Sequence, residues 1–259
     1  MQKPVTVIIG LGRTVGEAVA LRFLKDGHDL VVVDTDGELL DQVHKVVGGK
    51  MVFHHGPTDT LLGLRNALAA TLETHHFVDN VICIPPLPEP DALLGLDMAE
   101  FESVLMQTVR GAVQALRVFS PELIYERTDP ENAATRSRQT GTFTFVLSLG
   151  ASMSQPGWFS ESVTQHAIVG IVKAASIELA QEGIRVNAVI ALRPRAEGRE
   201  PWLHDRTPMA RAALAEEIAE TTAFLANPAT AIITGEAITL DGGRRWLSGL
   251  MDRSDEDGM

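Results

Sequence analysis

The first residues whose spacing offers chemistry are three glycines and an aspartate. In Ile9-Gly10-Leu11-Gly12-Arg13-Thr14-Val15-Gly16 the glycines stand at a Gly-x-Gly-x-x-x-Gly spacing. Glycines in such a turn let a diphosphate approach backbone N–H groups, and a helix beginning there adds a partial positive charge. Asp34 follows about twenty residues on, where a carboxylate can accept hydrogen bonds from an adenosine ribose and repel a 2′-phosphate. Gly10, Gly12, Gly16 and Asp34, with Arg13 and Thr14 inside the turn, are therefore assigned to dinucleotide binding, NAD(H) ahead of NADP(H). Arg13 pulls the other way, because a guanidinium in this turn could reach a 2′-phosphate. A blander reading stays open, in which the glycines only pack a helix on a strand.

This chemistry needs a strand before the turn and a helix after it. Residues 5–9 form a short β-branched apolar run, and 17–25 carry apolar residues at helical spacing. A second apolar run, 30–33, closes on Asp34, and 39–47 is again helix-like. Further strands are expected near 51–53, 78–84, 143–147, 184–191 and 237–240, with helices near 61–73, 98–119, 163–182 and 214–225. Alternating strands and helices imply a parallel sheet, and continuously apolar strands imply that both its faces are covered. The expected fold class is α/β: a three-layer doubly wound parallel sheet of Rossmann type in one domain, 1–251, followed by an acidic disordered tail, 252–259. Two stretches read as loops: 85–90, which carries four prolines, and 126–141, which is polar and charged.

Composition narrows the partners. The 259 residues carry a net charge of −12 and are 45% apolar. That acidity leaves no basic face for nucleic acid or anionic lipid. Neither a leader segment nor an apolar run of membrane-spanning length is visible, so a cytoplasmic location is expected. The one cysteine, Cys83, lies in an apolar run and reads as a small buried hydrophobe. The pairs His54-His55 and His75-His76 would point apart in regular structure, which disfavours a shared metal.

The chain resembles the short-chain dehydrogenase/reductase family from Val5 to about Trp246. The second half carries the more specific motifs. Ala167 to Lys173, then Glu178-Leu179-Ala180, then Gly183-Ile184-Arg185-Val186-Asn187-Ala188-Val189 look like the family's long helix and the strand after it. Ile233-Thr234-Gly235-Glu236 through Asp241-Gly242-Gly243 match its ending. The resemblance implies an Asn-Ser-Tyr-Lys catalytic set, a small-molecule substrate, and a homodimer or homotetramer built on two long helices. Carried over residue by residue, the serine falls on Ser148, the tyrosine on Glu161, the lysine on Gln165 and the asparagine on Thr108. The family's Asn-Asn-Ala-Gly falls on Cys83-Ile84-Pro85-Pro86, and a glycine of the turn falls on Thr14. Only the serine keeps its identity.

These replacements change the chemistry available. A tyrosine, with an ordinary pKa of about 10, works near neutral pH only beside a cation, and Gln165 supplies none. A glutamate is ordinarily an ionised acceptor at neutral pH and donates a proton only if its environment raises its pKa. Ser148 without a base or charge beside it is a weak proton donor. Gln165, one helical turn after Glu161, could still hydrogen-bond the ribose next to nicotinamide. Three functions follow from these residues. The leading one is a protein that binds NAD(H) in a degenerate site and serves regulation or assembly. The second is an active NAD(P)-dependent oxidoreductase using Glu161 and Ser148 in atypical acid-base chemistry. The third is a scaffold whose groove Thr14 and Cys83-Ile84-Pro85-Pro86 have closed to any dinucleotide.

Overall fold

The computed structural model describes residues 3–12, 15–47, 51–128, 141–192 and 206–249. Seven strands form one parallel sheet: β1 (Val5–Ile9), β2 (Asp29–Asp34), β3 (Met51–His55), β4 (Asn80–Cys83), β5 (Thr142–Ser148), β6 (Arg185–Ala191) and β7 (Ala237–Leu240). Their order across the sheet is β3-β2-β1-β4-β5-β6-β7. The direction of winding reverses between β1 and β4, which is where an open α/β sheet leaves a crevice at the carboxyl ends of its strands.

Among the described residues seven α-helices connect the strands: α1 (Val15–Lys25), α2 (Gly37–Val47), α3 (Leu61–His75), α4 (Met98–Leu105), α5 (Gly111–Thr128), α6 (Phe159–Ala180) and α7 (Ala215–Ala226). Successive strand residues point to opposite faces. In β1, Val7 and Ile9 accordingly enter one core with Leu64 of α3, Phe119 of α5 and Ile168 of α6, whereas Ile8 enters the other with Phe23 of α1, Leu40 of α2 and Ile218 of α7. This is the three-layer, doubly wound arrangement expected from the sequence. Each of these buried apolar side chains contributes about 1.5–3 kcal/mol.

The differences from the sequence expectations lie at element ends and at one interruption within a helix. The helix expected at 163–182 starts earlier, at Phe159, because residues outside the helix hold its first turn, as described below. The helix expected from 98 to 119 is instead α4, a π-helical turn over Met106–Arg110, and α5, which runs on to Thr128. Residues 126–128, read as loop from their polarity, are thus helical. Of the expected loop 126–141, residues 129–140 lie outside the described residues, as does the acidic tail 252–259.

Two hydrogen-bonded sets stiffen the sheet. At the amino ends of the strands, His28 Nδ1 meets Thr6 Oγ1 at 2.8 Å, Asn80 Nδ2 donates to Thr6 Oγ1 at 3.2 Å, and Thr142 Oγ1 donates to Asn80 Oδ1 at 2.7 Å. On β6, Arg185 is 3% exposed and donates to the carbonyls of Ile233 (3.2 Å) and Asn227 (3.4 Å). Asn187 donates to the same Ile233 carbonyl at 2.9 Å and accepts from the Glu236 N–H at 3.0 Å. The Gly-Ile-Arg-Val-Asn run therefore fastens the connection that leads into β7.

Candidate cofactor and catalytic site

The glycine turn leaves β1 at the carboxyl edge of the sheet. Gly10 has φ +82° and Gly12 φ +53°, conformations that L side chains rarely adopt. A Cβ on Gly10 would stand 2.4 Å from the Ile84 carbonyl oxygen, and one on Gly16 would stand 2.1 Å from the Leu11 carbonyl oxygen. Gly16 N–H donates to that same Leu11 oxygen at 2.7 Å. Gly10 and Gly16 are thus required by the chain's own packing, while the bent turn still leads into the amino end of α1. Arg13 and Thr14 lie outside the described residues.

Asp34, the last residue of β2, is 8% exposed. Its Oδ2 accepts the Leu11 N–H at 2.6 Å and its Oδ1 accepts the Asp36 N–H at 2.8 Å. The carboxylate therefore ties the glycine turn to the end of β2, and each oxygen keeps a second lone pair for a ribose hydroxyl. Thr35, Asp36, Glu38, Asp41, Phe53 and His55 line a cavity beyond it. Three of these side chains are carboxylates, which oppose a 2′-phosphate and leave a neutral ribose unopposed. His55 makes a 2.9 Å hydrogen bond with the Thr35 carbonyl.

Three strands over, Ser148, Glu161 and Gln165 come together. Ser148 ends β5, where it pairs with Ala191 of β6. Its hydroxyl donates to Glu161 Oε1 at 2.7 Å and accepts the Gly150 N–H at 3.2 Å. Its own N–H donates to Gln165 Oε1 at 3.0 Å, which fixes the amide's orientation: a flipped amide would set donor against donor. Gln165 is fully buried, and its Nε2 has no acceptor among the described residues. Glu161 is 9% exposed and lines a small cavity with Leu149, Met153, Trp158, Ser162 and Arg244. Ser162, on the same face of α6, has a buried hydroxyl without a partner among the described residues. Buried donors left this way mark a place where a water or ligand belongs.

Thr108, the fourth expected member, makes no hydrogen bond with the other three among the described residues. It sits within the π turn, 2% exposed, and its hydroxyl donates to the Val104 carbonyl at 2.6 Å. Its side chain is spent on its own helix. His166 is also occupied locally, with Nδ1 at 2.8 Å from the Ser162 carbonyl, and Lys173 is exposed.

One part of the site left no signal in the sequence. Asp91 follows the proline-rich segment and accepts both the N–H of Ser160, at 2.9 Å, and its hydroxyl. The backbone adds bonds from Asp91 N–H to the Gly157 carbonyl (2.9 Å) and from Phe159 N–H to the Asp91 carbonyl (3.3 Å). This staple sets the first turn of α6, and with it Glu161.

The arrangement fits a dinucleotide. Asp34 and Ser148 lie on β2 and β5, three strand spacings or about 14 Å apart across the sheet, with the turn and the β1/β4 crevice between them. Chemically, the second half offers a carboxylate acceptor, a serine whose one proton is engaged by that carboxylate, and an amide with a spare donor. Glu161 and Gln165 bring it neither a phenol nor an ammonium, and the lysine of α6, Lys173, is exposed.

Comparison with known proteins agrees with this geometry. Residues 10–245 match the family model described as Enoyl-(Acyl carrier protein) reductase. The chain is 25% identical to galactitol 2-dehydrogenase (L-tagatose-forming) of Cereibacter sphaeroides, covering 91% of this chain and 92% of that protein. It is 26% identical to glucose 1-dehydrogenase of Gluconobacter oxydans (strain 621H), with 92% and 90% covered. Among solved structures, 3-ketoacyl-(acyl-carrier-protein) reductase from Brucella melitensis complexed with NADH superposes with a TM-score of 0.84 at 28% identity, covering 93% of this chain and 98% of that one. Levodione reductase, at 21% identity and a TM-score of 0.82, shares the fold.

Proposed function

The chain belongs to the short-chain dehydrogenase/reductase family of oxidoreductases, whose members bind NAD(P), and from that premise we propose that it holds NAD(H) in a degenerate site and acts through binding, in regulation or assembly. The observation that carries the proposal is the bond from the Ser148 hydroxyl to Glu161. It engages the proton a substrate carbonyl would need, and Gln165 brings no charge to replace it. Nicotinamide, when bound, supplies or takes up a hydride. Around it, Asp34 would hold the adenosine ribose, the turn from Gly10 to Gly16 the diphosphate, and Gln165 Nε2 an acceptor on the nicotinamide side. Asp34, Asp36 and Glu38 favour NAD(H) over NADP(H) by charge.

The test is a titration of the purified protein with NADH and, separately, NADPH, followed by nicotinamide fluorescence, together with an assay for hydride transfer. Micromolar binding of NADH, weaker binding of NADPH and no turnover over a panel of alcohols and carbonyls is the expected result. Failure of both nucleotides to bind removes the reading and leaves a scaffold in its place.

A second reading rests on the same bond taken in the oxidative direction. A substrate alcohol can donate its proton to Ser148 Oγ while Ser148 passes its own to Glu161, as hydride leaves for NAD⁺. The names of the dehydrogenases above favour this reading. Hydride transfer abolished by Glu161→Gln, with folding intact, would establish it.

Self-association through α4, α5 and α6 belongs to the same proposal. Met98, Val113, Val163 and Ile177 are exposed apolar side chains on those helices. Sedimentation at micromolar protein separates a monomer from a dimer or tetramer. Among the described residues no helix is long and apolar enough to cross a membrane. A cytoplasmic location remains part of the proposal.

A further inference from the structure

One peptide unit beside the ribose carboxylate is held at both of its ends. Asp34 closes β2 in register with His55, the last residue of β3. The Gly56 N–H donates to the Asp34 carbonyl at 3.0 Å, so the two strand ends are joined through the backbone. Beyond them the chain turns into α2 through Thr35 and Asp36. The peptide linking those two residues is planar and trans, so its C=O and N–H point in opposite directions and move as one body. Its N–H end donates to Asp34 Oδ1 at 2.8 Å. Its C=O end lies 2.9 Å from His55 Nε2. A carbonyl can only accept, so Nε2 carries the proton and donates. The ring also stands beside Gly37, the first residue of α2, 3.6 Å from the place a Cβ would occupy there. We propose that His55 is a positioning residue for the nucleotide: by fixing the Thr35-Asp36 peptide it keeps the Asp36 N–H on Asp34, and so aims the carboxylate that receives the adenosine ribose.

The inference rests on the NAD(H)-binding reading above and deepens it by naming what directs the ribose ligand. Asp34 Oδ2 is held by the Leu11 N–H. That bond alone leaves the carboxylate free to turn about its own axis, and the Asp36 N–H on Oδ1 fixes its plane and the direction of its remaining lone pairs. Asp36 is in turn fastened to α2, accepting the Leu39 N–H on its side chain and the Leu40 N–H on its carbonyl, each at 3.1 Å. The peptide before it is the part of the turn that His55 secures. A single hydrogen bond of this kind is worth about two- to tenfold in an equilibrium.

The experiment is a double-mutant cycle on NADH affinity in the purified chain, read by nicotinamide fluorescence. His55→Leu should weaken NADH about fivefold. His55→Gln, whose amide N–H can donate to the same carbonyl, should restore most of that loss. In an Asp34→Asn background, where one amide oxygen cannot accept both N–H groups, His55→Leu should change affinity less than about twofold, because a residue acting through Asp34 has lost its route. Affinity unmoved by His55→Leu overturns the proposal, and so does a loss of equal size in both backgrounds. His55 is exposed, so these variants should unfold cooperatively in urea; His55→Ala takes the place of the leucine variant if that one does not. Hydrogen exchange at the Asp36 N–H, measured without nucleotide, is the second readout. It should quicken several-fold in His55→Leu and stay slow in His55→Gln, and an unmoved rate overturns the proposal whether or not NADH binds. Failure of the unaltered chain to bind NADH removes the cofactor reading itself, whereas binding that ignores His55 removes only its positioning role.

Discussion

Asp91 and Ser160 stand 69 residues apart in the chain, yet both carboxylate oxygens of the first are taken up by the second, one by its N–H and one by its hydroxyl. The first N–H groups of a helix have no partners within it, so a carboxylate placed there both satisfies them and meets the positive end of the helix dipole. Asp91→Ala is expected to cost about 1–2 kcal/mol, the usual loss for a capping side chain, and Asp91→Asn about half of that. Because the staple places Glu161, NADH affinity should also fall in Asp91→Ala. A role confined to stability would shift the urea midpoint and leave that affinity alone.

The two packed glycines should not tolerate a side chain. A methyl group on Gly16 would lie 2.1 Å from the Leu11 oxygen and one on Gly10 2.4 Å from the Ile84 oxygen. Backbone atoms cannot swing aside as a side chain can. Gly16→Ala is expected to lose about 3 kcal/mol or more, at the severe end for a single substitution. The loss should appear in urea unfolding without any nucleotide present, which separates a packing role from a phosphate-binding one.

Asp34 is more firmly built in than a ribose ligand need be. Arginine there would strand the Leu11 and Asp36 N–H groups, so Asp34→Arg confounds binding with folding. Asp34→Asn keeps one acceptor oxygen and the side chain's shape. It should cost about 1–2 kcal/mol of stability, the scale of one buried donor left unpaired, and about tenfold in NADH affinity. Unchanged affinity in the asparagine variant would count against Asp34 as the ribose contact.

The Arg211–Glu217 pair sets an acid-side dependence. Both Glu217 oxygens lie 2.7 Å from the Arg211 guanidinium, and Oε2 also accepts the Leu214 N–H at 2.8 Å. The guanidinium first, and the backbone bond second, pull the Glu217 carboxyl down from 4.5 to about 2. A carboxyl depressed on folding adds stability above its unfolded value, lost as pH falls through the folded one. The contribution should be complete above about pH 4.5 and gone near pH 2, and it should be small because both side chains are solvent-exposed. Arg211→Met should flatten the stability profile in that window. A profile parallel to that of the unaltered protein would refute the assignment.

His28 acts over a higher range. Burial first, and the Arg22 charge after it, lower its pKa below the usual 6.5, against opposing pulls from Asp26 and Asp29. The unfolded chain then takes up the proton first, so stability declines as pH falls below about 6.5 toward the folded value. Urea midpoints at pH 7.5 and 5.5 should differ more for the unaltered protein than for His28→Gln, which can still hydrogen-bond Thr6.

The residues that made the fold legible were those whose requirements are local. The β-branched run before Gly10 and the apolar spacing after Gly16 announce a strand and a helix by their own periods, and the β1-turn-α1 unit was read nearly to its ends. Motif spacing also singled out Ser148, Glu161 and Gln165, which hydrogen bonds join in the structure. What escaped depends on partners far away in the chain. Nothing near Asp91 reveals that it will hold Ser160, and nothing near Leu11 shows that Asp34 will accept its N–H. Thr108 is a further case: spacing assigns it to the site, and its hydroxyl, as is common for a threonine within a helix, turns to the carbonyl four residues back. The π turn around it was invisible because each of its residues is acceptable in an ordinary helix.

That π turn between α4 and α5 has a consequence for how the chain can vary. A π turn accommodates one residue more than an α turn, and one residue advances the azimuth of everything downstream by about 100°. The amphipathic rhythm is therefore reset at Met106–Arg110: α4 buries no side chain fully, while α5 buries Ala112, Ala115, Leu116, Phe119 and Leu123 along one stripe. The segment works as a phase shifter. Shortening it by one residue would leave two good helices and an intact composition, yet would rotate that stripe away from the sheet.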